Sequence, residues 1–336
     1  MARSKHDPLK QALSFEKPVV ELDIQLKELT DELAEKGDDA PAELLAEIEK
    51  LEGERDERLA AMQEELTVWQ RIQLSRHIDR PVTGDYTDAL LTDLVELHGD
   101  RTFGDDRAIL TALATLGDRK LLLVAHRKGR TTKERIACNW GCAHPEGYRK
   151  AQRAMKLAER LGLPVLTLIN TPGAYPGLEA EERGQAGAIA WAILEMAALR
   201  VPVVSVVIGE GGSGGALGIG VCDRLMVLEN SYYSVITPEG CASILWKDGS
   251  RAEEAASALK LSTTSLADLG VADEILPEPL GGAHRDKARA AEILGEAVER
   301  HFAELSAMSV DELMAARRAK YRKLGQYGEG RRPARR

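Results

Sequence analysis

The glycine-rich run IGEGGSGGALGIG, at residues 208–220, is the densest group of residues that could do chemistry. It follows an apolar run typical of a buried strand and opens a segment that favours a helix. Glycine permits positive φ and lets the main chain approach a ligand closely, and the first turn of a helix presents free N–H groups. A glycine pair there is suited to stabilising negative charge that develops on an oxygen atom. Close packing of a helix on a strand would also require glycines.

Nucleotide-binding loops fit this run poorly, because no Gly-Lys-Ser/Thr follows it and its spacing is not GxGxxG. A serine hydrolase fits better: residues 211–215 read Gly-Gly-Ser-Gly-Gly, which matches GxSxG in the strand–turn–helix context of a nucleophile elbow. Asp223 and His284 follow Ser213 in the order Ser…Asp…His. The residues alone leave two alternatives open, a serine nucleophile and an oxyanion site without one.

A second glycine loop, INTPGAYPG at residues 169–177, also follows an apolar run. Its prolines stiffen the loop, and its glycines permit tight turns. If both loops end neighbouring parallel strands, they converge at the carboxyl end of the sheet, where open α/β sheets usually bind ligands. Ordinary connections between strands and helices would have a similar composition.

Basic residues cluster in HRKGRTTKER at 126–135, where a positive patch could steer an anionic substrate. A solvated hairpin or ion pairs with acidic helices would explain them equally well. Cys138 and Cys142 lack a second CxxC-type pair, which indicates reduced thiols rather than a zinc site.

The composition indicates a globular protein of about two domains. The chain has 336 residues and a formal net charge of −9, which argues against generic nucleic-acid binding. No apolar run approaches the ~18 residues of a membrane span, and the N-terminus lacks the apolar core of a signal peptide. We therefore expect a cytoplasmic protein.

The elements that must position the glycine loops belong to an α/β pattern. Residues 16–76 have the composition of two amphipathic helices packed as a hairpin. Apolar runs at 120–127, 163–170, 201–209 and 224–230 predict strands buried on both faces. Helical segments separate them, including GGALGIGVCD at 214–223, and residues 285–324 return to amphipathic helix. The alternation of strands and helices predicts a layered α/β core.

Several motifs together make a specific resemblance. INTPGAYPG, AEERGQ, GEGGSGGALGIG, ITPEGCASILWKD and ILPEPLGGAHRD occur in this order. They closely resemble the alpha subunits of the carboxyltransferase component of bacterial-type acetyl-CoA carboxylase, from about Phe15 through Tyr327.

This resemblance implies an α/β, crotonase-like (ClpP/crotonase) superhelical core of ββα units, with an N-terminal helical hairpin and C-terminal helices. We expect four segments, which are a flexible N-terminus at 1–15, the helical hairpin at 16–79 as an interface element, the carboxyltransferase core at 80–308, and a C-terminal helix with the basic tail RRPARR at 309–336.

The resemblance also implies the reaction. The carboxyl group of N-carboxybiotin, held on a separate carrier protein, moves to acetyl-CoA and gives malonyl-CoA for fatty acid biosynthesis. The expected partners are a beta subunit in an α2β2 assembly, the biotin carboxyl carrier protein and biotin carboxylase, which consumes ATP. Zinc is expected in a four-cysteine ribbon of the beta subunit and no metal on this chain. Neither a membrane nor a specific nucleic acid is expected as a partner.

Carried over by motif, the main-chain donors that would hold the biotin oxygen are Gly214 and Gly215. The residues expected to line the substrate pocket are Gly173, Ala174, Gly211 and Gly212. The alternatives are a serine hydrolase that uses Ser213 and a non-catalytic scaffold subunit.

Overall fold

A computed structural model describes residues 8–37 and 40–325 of the chain. The first seven residues of the predicted N-terminal segment and the basic tail RRPARR lie outside the described residues. Within the described part, no helix is both long and apolar enough to cross a bilayer.

A mixed, eight-stranded sheet forms the centre of the molecule. Its strands are β1 (Leu91–Glu96), β2 (Ile109–Leu116), β3 (Arg119–His126), β4 (Val165–Thr171), β5 (Val203–Gly212), β6 (Arg224–Leu228), β7 (Tyr232–Ser234) and β8 (Glu274–Leu276). The order is β1-β2-β3-β4-β5-β6-β8, and β7 pairs with the end of β5. β1, β2 and β3 are antiparallel, whereas β3 to β6 and β8 run parallel. The four strands predicted from apolar runs are therefore confirmed.

Helices surround the sheet. They are α1 (Pro8–Gln11), α2 (Lys17–Lys36), α3 (Ala42–Glu65), α4 (Val68–Ser75), α5 (Thr83–Leu90), α6 (Thr132–Ala137), α7 (Pro145–Leu161), α8 (Leu178–Glu182), α9 (Gln185–Ala198), α10 (Ser213–Leu217), α11 (Pro238–Trp246), α12 (Ala252–Ala258), α13 (Thr263–Asp268), α14 (Lys287–Ser306) and α15 (Val310–Arg322). Short 3₁₀ turns lie at Asn139–Gly141 and Gly249–Arg251.

Two apolar layers hold the helices on the sheet, because successive side chains of a strand point to opposite faces. On one face, Leu122 and Val165 pack in a buried cluster with residues of α7 and α9. On the other face, Leu121 and Leu166 pack in a cluster with residues of α14 and α15. Both faces of β4 are buried along its whole length, as expected for a parallel strand between two helical layers.

The helix predicted over 214–223 is much shorter in the structure, where α10 ends at Leu217. The following residues form turns, in which the Gly218 N–H donates to the Gly214 carbonyl at 2.9 Å. A Cβ atom at Gly218 would lie 2.8 Å from Cδ1 of Tyr148. The prediction of a continuous helix is wrong, because these glycines serve close packing and weaken a helix.

Candidate active site

The two glycine loops meet at the carboxyl ends of β4 and β5, as the sequence predicts. These strands are parallel neighbours, and Thr171 at the end of β4 is the register partner of Gly211 in β5. The loop at 172–177 therefore begins beside the point where β5 passes into α10. This edge of the sheet is where ligands bind in open α/β folds.

Close main-chain contacts interlock the two loops. An ideal Cβ atom at Gly212 would lie only 2.0 Å from the carbonyl oxygen of Pro172. One at Gly215 would lie 2.5 Å from the carbonyl carbon of Gly173 and 2.6 Å from the nitrogen of Ala174. No side chain larger than hydrogen fits at either position unless the opposite loop moves. Gly173 itself has φ +159, close to extended backbone.

Gly214 differs from its neighbours because it is not enclosed. A Cβ atom there would meet Cδ1 of Ile189 at 3.4 Å, an ordinary contact, and the residue is partly exposed. No side chain caps the start of α10. Since the first N–H groups of a helix have no acceptor within it, the turn can present main-chain donors to a ligand.

The other two predicted pocket residues lie within β5. Gly211 pairs with Thr171 on one side and with Tyr233 of β7 on the other. A Cβ atom at Gly211 would lie 2.6 Å from Cδ2 of Tyr233. Both Gly211 and Gly212 are buried, so their observed contacts are those of close strand and loop packing.

Ser213 has part of the geometry of a nucleophile elbow. It is exposed and has φ +52, which is rare for a residue other than glycine. Asp223, however, accepts hydrogen bonds from Arg317 at 2.6 and 2.8 Å and from the Val203 N–H at 2.8 Å. Val203 begins β5 and Ser213 follows its end, a span of roughly 30 Å for a ten-residue strand.

His284, the third member of the hydrolase hypothesis, is held elsewhere. Its Nε2 lies 2.9 Å from Oε1 of Glu16, and its ring stacks on His77 with 4.1 Å between ring centroids. The structure therefore does not bring Ser213, Asp223 and His284 together. The hydrolase hypothesis fails because both proposed partners of Ser213 have buried partners of their own.

Glu16, His77 and His284 form the single group of possible metal ligands found among the described residues. The sequence analysis missed it, since the three residues are far apart in the chain. The Asp79 N–H donates to Nδ1 of His77 at 3.2 Å, which keeps the proton of the neutral ring on Nε2. That nitrogen lies 3.6 Å from Oε2 of Glu16, so the two histidine rings and the carboxylate form a polar cluster around Glu16.

Burial lowers the pKa of His77 to about 4, and the neighbouring His284 adds to this effect. At the carboxyl group of Glu16, by contrast, the neighbouring groups outweigh the effect of burial on the pKa. Burial alone would raise its pKa, but His284, His77 and the Leu13 N–H together lower it. The cluster thus holds an ionised carboxylate against a neutral imidazole of His77 at neutral pH.

The basic loop is largely paired with carboxylates. Arg127 binds Glu96 at 3.0 Å, and Arg130 binds Asp85 and Asp88 of α5 at 3.0 and 2.9 Å. A cleft of about 430 Å³ lies between this loop and α5. The pairing favours the ion-pair interpretation for these two arginines, with partners on α5 and β1.

Lys128 is also paired, with a carboxylate that lies just before Ser213–Gly215, the residues that begin α10 and are called the glycine turn below. It contacts Glu210 near the end of β5, where Arg76 also binds the carboxylate at 2.7 Å and the Tyr232 hydroxyl donates to it at 3.0 Å. Burial alone would raise the pKa of Glu210, but the charges of Lys128 and Arg76 outweigh burial and lower it. Glu210 is therefore an ionised, buried carboxylate four residues before Gly214, and the sequence pattern gave no sign of this network.

Comparisons with known proteins agree on one family. A family model described as "Acetyl co-enzyme A carboxylase carboxyltransferase-like" matches residues 12–325. A curated relative from Geobacter metallireducens, named "Acetyl-coenzyme A carboxylase carboxyl transferase subunit alpha", is 52% identical over 317 residues, which are 94% of this chain and 98% of the relative. A relative of the same name from Halorhodospira halophila is 49% identical over 317 residues, with the same two coverages of 94% and 98%.

Among solved structures, the transcarboxylase 12S core is similar to this chain with a TM-score of 0.53 and 18% sequence identity. The match covers 68% of this chain and 44% of the solved chain, so this chain spans less than half the length of that protein. At this identity the similarity shows the fold alone. It confirms the predicted crotonase-like fold class.

Proposed function

This chain belongs to the family of carboxyltransferase alpha subunits of acetyl-CoA carboxylase, and we propose that, together with a beta subunit, it transfers a carboxyl group from N-carboxybiotin to acetyl-CoA. The observation that carries the site assignment is the interlocking of the two glycine loops, which leaves the start of α10 uncapped beside Gly173. The comparisons support neither the serine hydrolase nor the scaffold alternative.

The residues present fit the oxygen of a biotin ring. Gly212 and Gly215 let the opposite loop come so close that it occupies the space of their side chains, and Gly214 is partly exposed beside them at the uncapped start of α10. N-carboxybiotin would supply the carboxyl group, and the biotin left behind would carry negative charge on its ureido oxygen. The N–H groups of Gly214 and Gly215 would donate to that oxygen, and aimed donors of this kind are effective because they need no reorganisation.

Gly173 and Ala174 would form the opposite wall of this pocket, because they pack against Gly215. The predicted binding role of Gly211 and Gly212 stays a prediction; through their packing they would set the position of the loop that carries Gly173. Ser213 would contribute its backbone conformation rather than its hydroxyl group.

A beta subunit would complete the site by covering exposed apolar side chains near the glycine turn. Leu178, Trp191 and Leu194 on α8 and α9 are exposed to 73%, 64% and 57%. Leu217 on α10, three residues after Gly214, is also exposed. Exposed large apolar side chains in contiguous groups are typical of protein interfaces. The hairpin of α2 and α3 remains a second candidate interface.

The other members of the expected assembly are part of the same proposal. They are the biotin carboxyl carrier protein, biotin carboxylase and a zinc-containing beta subunit in an α2β2 arrangement. The cytoplasmic location of this assembly stays a prediction.

Reconstitution tests the proposed function. We expect the isolated chain to show no transfer between malonyl-CoA and biotin, the convenient reverse reaction, and the addition of a beta subunit to restore turnover. Trp191→Glu should weaken co-purification with the beta subunit, because it places a charge on the apolar surface. Leu269→Glu, at an exposed apolar side chain that follows α13, is the matched control, because it introduces the same charge outside α8, α9 and α10; it should bind normally.

Two results would contradict the proposal. Rapid turnover by the isolated chain would show that it carries a complete site. A stable complex with the beta subunit that never transfers carboxyl groups would instead favour a scaffold.

A further inference from the structure

The end of β5 is irregular just before the glycine turn. From Val207 to Gly211, β5 advances four residues while its neighbour β4 advances two, from Ile169 to Thr171. On its other side, β5 pairs with β6 as far as Val207 and with β7 from Glu210 onward. A bulge leaves its extra residues outside the regular ladder of hydrogen bonds, so the sheet alone does not fix the course of the chain into the turn.

Side chains bind the main chain of this bulge instead. The carbonyl of Ile208 accepts a hydrogen bond from Nε of Arg80 at 2.8 Å, and the Glu210 N–H donates to Oδ1 of Asn170 at 3.2 Å. Gly209 lies between them, and a Cβ atom there would lie 2.8 Å from the same Oδ1. The bulge is therefore part of the close packing at this edge of the sheet.

Glu210 has the one buried side chain in the stretch at 209–215. Five of these seven residues are glycine, and Ser213 is exposed. Glycine has the widest choice of backbone conformations, so this stretch needs restraint from outside.

The carboxylate of Glu210 binds three separate elements. Its Oε1 accepts hydrogen bonds from Nε of Arg76 at 2.7 Å and from the Tyr232 hydroxyl at 3.0 Å, and its Oε2 contacts the Lys128 ammonium. Arg76 follows α4, Lys128 follows β3 and Tyr232 begins β7. Because donors hold both oxygens, the carboxylate cannot rotate without losing one of them.

We propose that Glu210 is a positioning residue, whose carboxylate anchors the bulge of β5 and thereby sets the direction in which the glycine turn presents its main-chain donors. Gly173 and Ala174 restrain the far end of the turn through their contact with Gly215, and Glu210 restrains the near end. This inference rests on the proposed function.

A substitution that keeps the shape of Glu210 tests its charge. In Glu210→Gln the amide oxygen still accepts from Arg76, but the amide NH₂ group faces the Lys128 ammonium, and both are donors. In the complex with the beta subunit, we expect kcat to fall about tenfold, the lower end of the effect of a hydrogen bond to a charged group. KM for malonyl-CoA should stay within about twofold of wild type, because the turn serves the biotin side. Adding Lys128→Met removes the opposing ammonium and should restore kcat to within about threefold of wild type.

Asp223→Asn is the matched control, because it also neutralises a buried carboxylate that anchors β5. Asp223 binds Arg317 and the Val203 N–H at the opposite end of the strand, so this variant should lower Tm but leave kcat per assembled complex unchanged. The positioning role is refuted if both variants lower kcat equally, if Glu210→Gln raises KM for malonyl-CoA in parallel, or if Lys128→Met brings no recovery.

A second variant tests the same anchor if Glu210→Gln does not fold. Tyr232→Phe removes only the hydroxyl that donates to Glu210, and we expect kcat to fall about threefold. Tyr86→Phe is its control, since the Tyr86 hydroxyl is also buried and has no hydrogen-bond partner among the described residues; it should leave kcat unchanged. Equal values of kcat in these two variants would overturn the inference.

Hydrogen exchange measures the restraint on the turn without relying on turnover. In the complex, Glu210→Gln should speed amide exchange about tenfold in peptides that cover residues 209–217, whereas Asp223→Asn should speed it at the start of β5. Unchanged exchange over 209–217 in Glu210→Gln would refute the inference. Absence of turnover in the wild-type complex would instead refute the proposed function alone.

Discussion

Alanine substitutions at Gly215 and Gly214 place the same methyl group on adjacent residues with different surroundings. At Gly215 the new Cβ atom would lie 2.5 Å from the carbonyl carbon of Gly173 and 2.6 Å from the nitrogen of Ala174. Both are main-chain atoms, so a change of side-chain rotamer cannot relieve the contact. At Gly214 the nearest atom would be Cδ1 of Ile189 at 3.4 Å, a distance that needs almost no adjustment.

The expected losses of stability and activity follow from the distance that the loop at Gly173 must move. Ordinary carbon contacts lie near 3.5 Å, so Gly215→Ala must move the loop at Gly173 by about 1 Å. Overpacking of this kind costs about 1–3 kcal/mol of folding free energy. A misplacement of ~1 Å in a catalytic site can lower the rate about 100-fold. We expect Gly215→Ala to lower both Tm and kcat, and Gly214→Ala to lower kcat less while Tm stays within about 1 °C of wild type.

The assays are differential scanning fluorimetry and the reverse transfer reaction in the complex with the beta subunit. Gly104→Ala, in the loop before β2, is the control, because a Cβ atom there meets nothing within 4 Å; it should leave kcat unchanged and should not lower Tm. If Gly215→Ala matches wild type in both, the two loops do not interlock as described. If Gly214→Ala lowers Tm as much as Gly215→Ala does, close contact is not the cause.

Two further predictions follow from the site and its surroundings. Ser213→Ala should keep at least half of the wild-type kcat, and a fluorophosphonate probe should not label the wild-type protein, because Asp223 and His284 are paired with other residues. Labelling at Ser213 would revive the hydrolase hypothesis. The pKa of His77 is about 4 in the folded chain and about 6.5 in the unfolded chain. As the pH falls, the unfolded chain therefore binds the proton first. The free energy of unfolding should fall between pH 6.5 and pH 4, by at most about 3 kcal/mol. Urea unfolding at pH 7 and pH 5 measures this loss; His77→Gln should make it smaller, and an equal loss in the variant would show that His77 does not cause it.

Local patterns predicted the centre of the fold correctly. β3, β4 and β5 appear where apolar runs occur, because strands buried on both faces need apolar side chains at every position. β7 and β8 have only three residues each, too few for an apolar periodicity to be recognised in the sequence. β7 forms because the end of β5 extends beyond its pairing with β6, and β8 forms because β6 has an unpaired side. Both causes lie in the tertiary structure.

Long-range pairs of charged residues were beyond sequence reasoning. Asp223 and Arg317 are 94 positions apart, and Lys128 and Glu210 are 82 apart. A charge in a sequence indicates only that it needs water or a partner, and the partner depends on how distant elements pack. For the same reason, the order Ser…Asp…His at Ser213, Asp223 and His284 suggested a catalytic triad that the fold does not assemble.

The sequence left two explanations for the glycine run, close packing or a ligand site, and the contacts indicate that the two are linked. Gly212 and Gly215 are needed for packing, since Pro172 and Gly173 occupy the space of their side chains. That packing draws the two loops together at the end of the sheet and leaves Gly214 open at an uncapped turn. A side chain at Gly215 would therefore act on the proposed donors indirectly, through the opposite loop. Gly214 is where a side chain would meet the ligand itself, so the two alanine variants separate packing from binding.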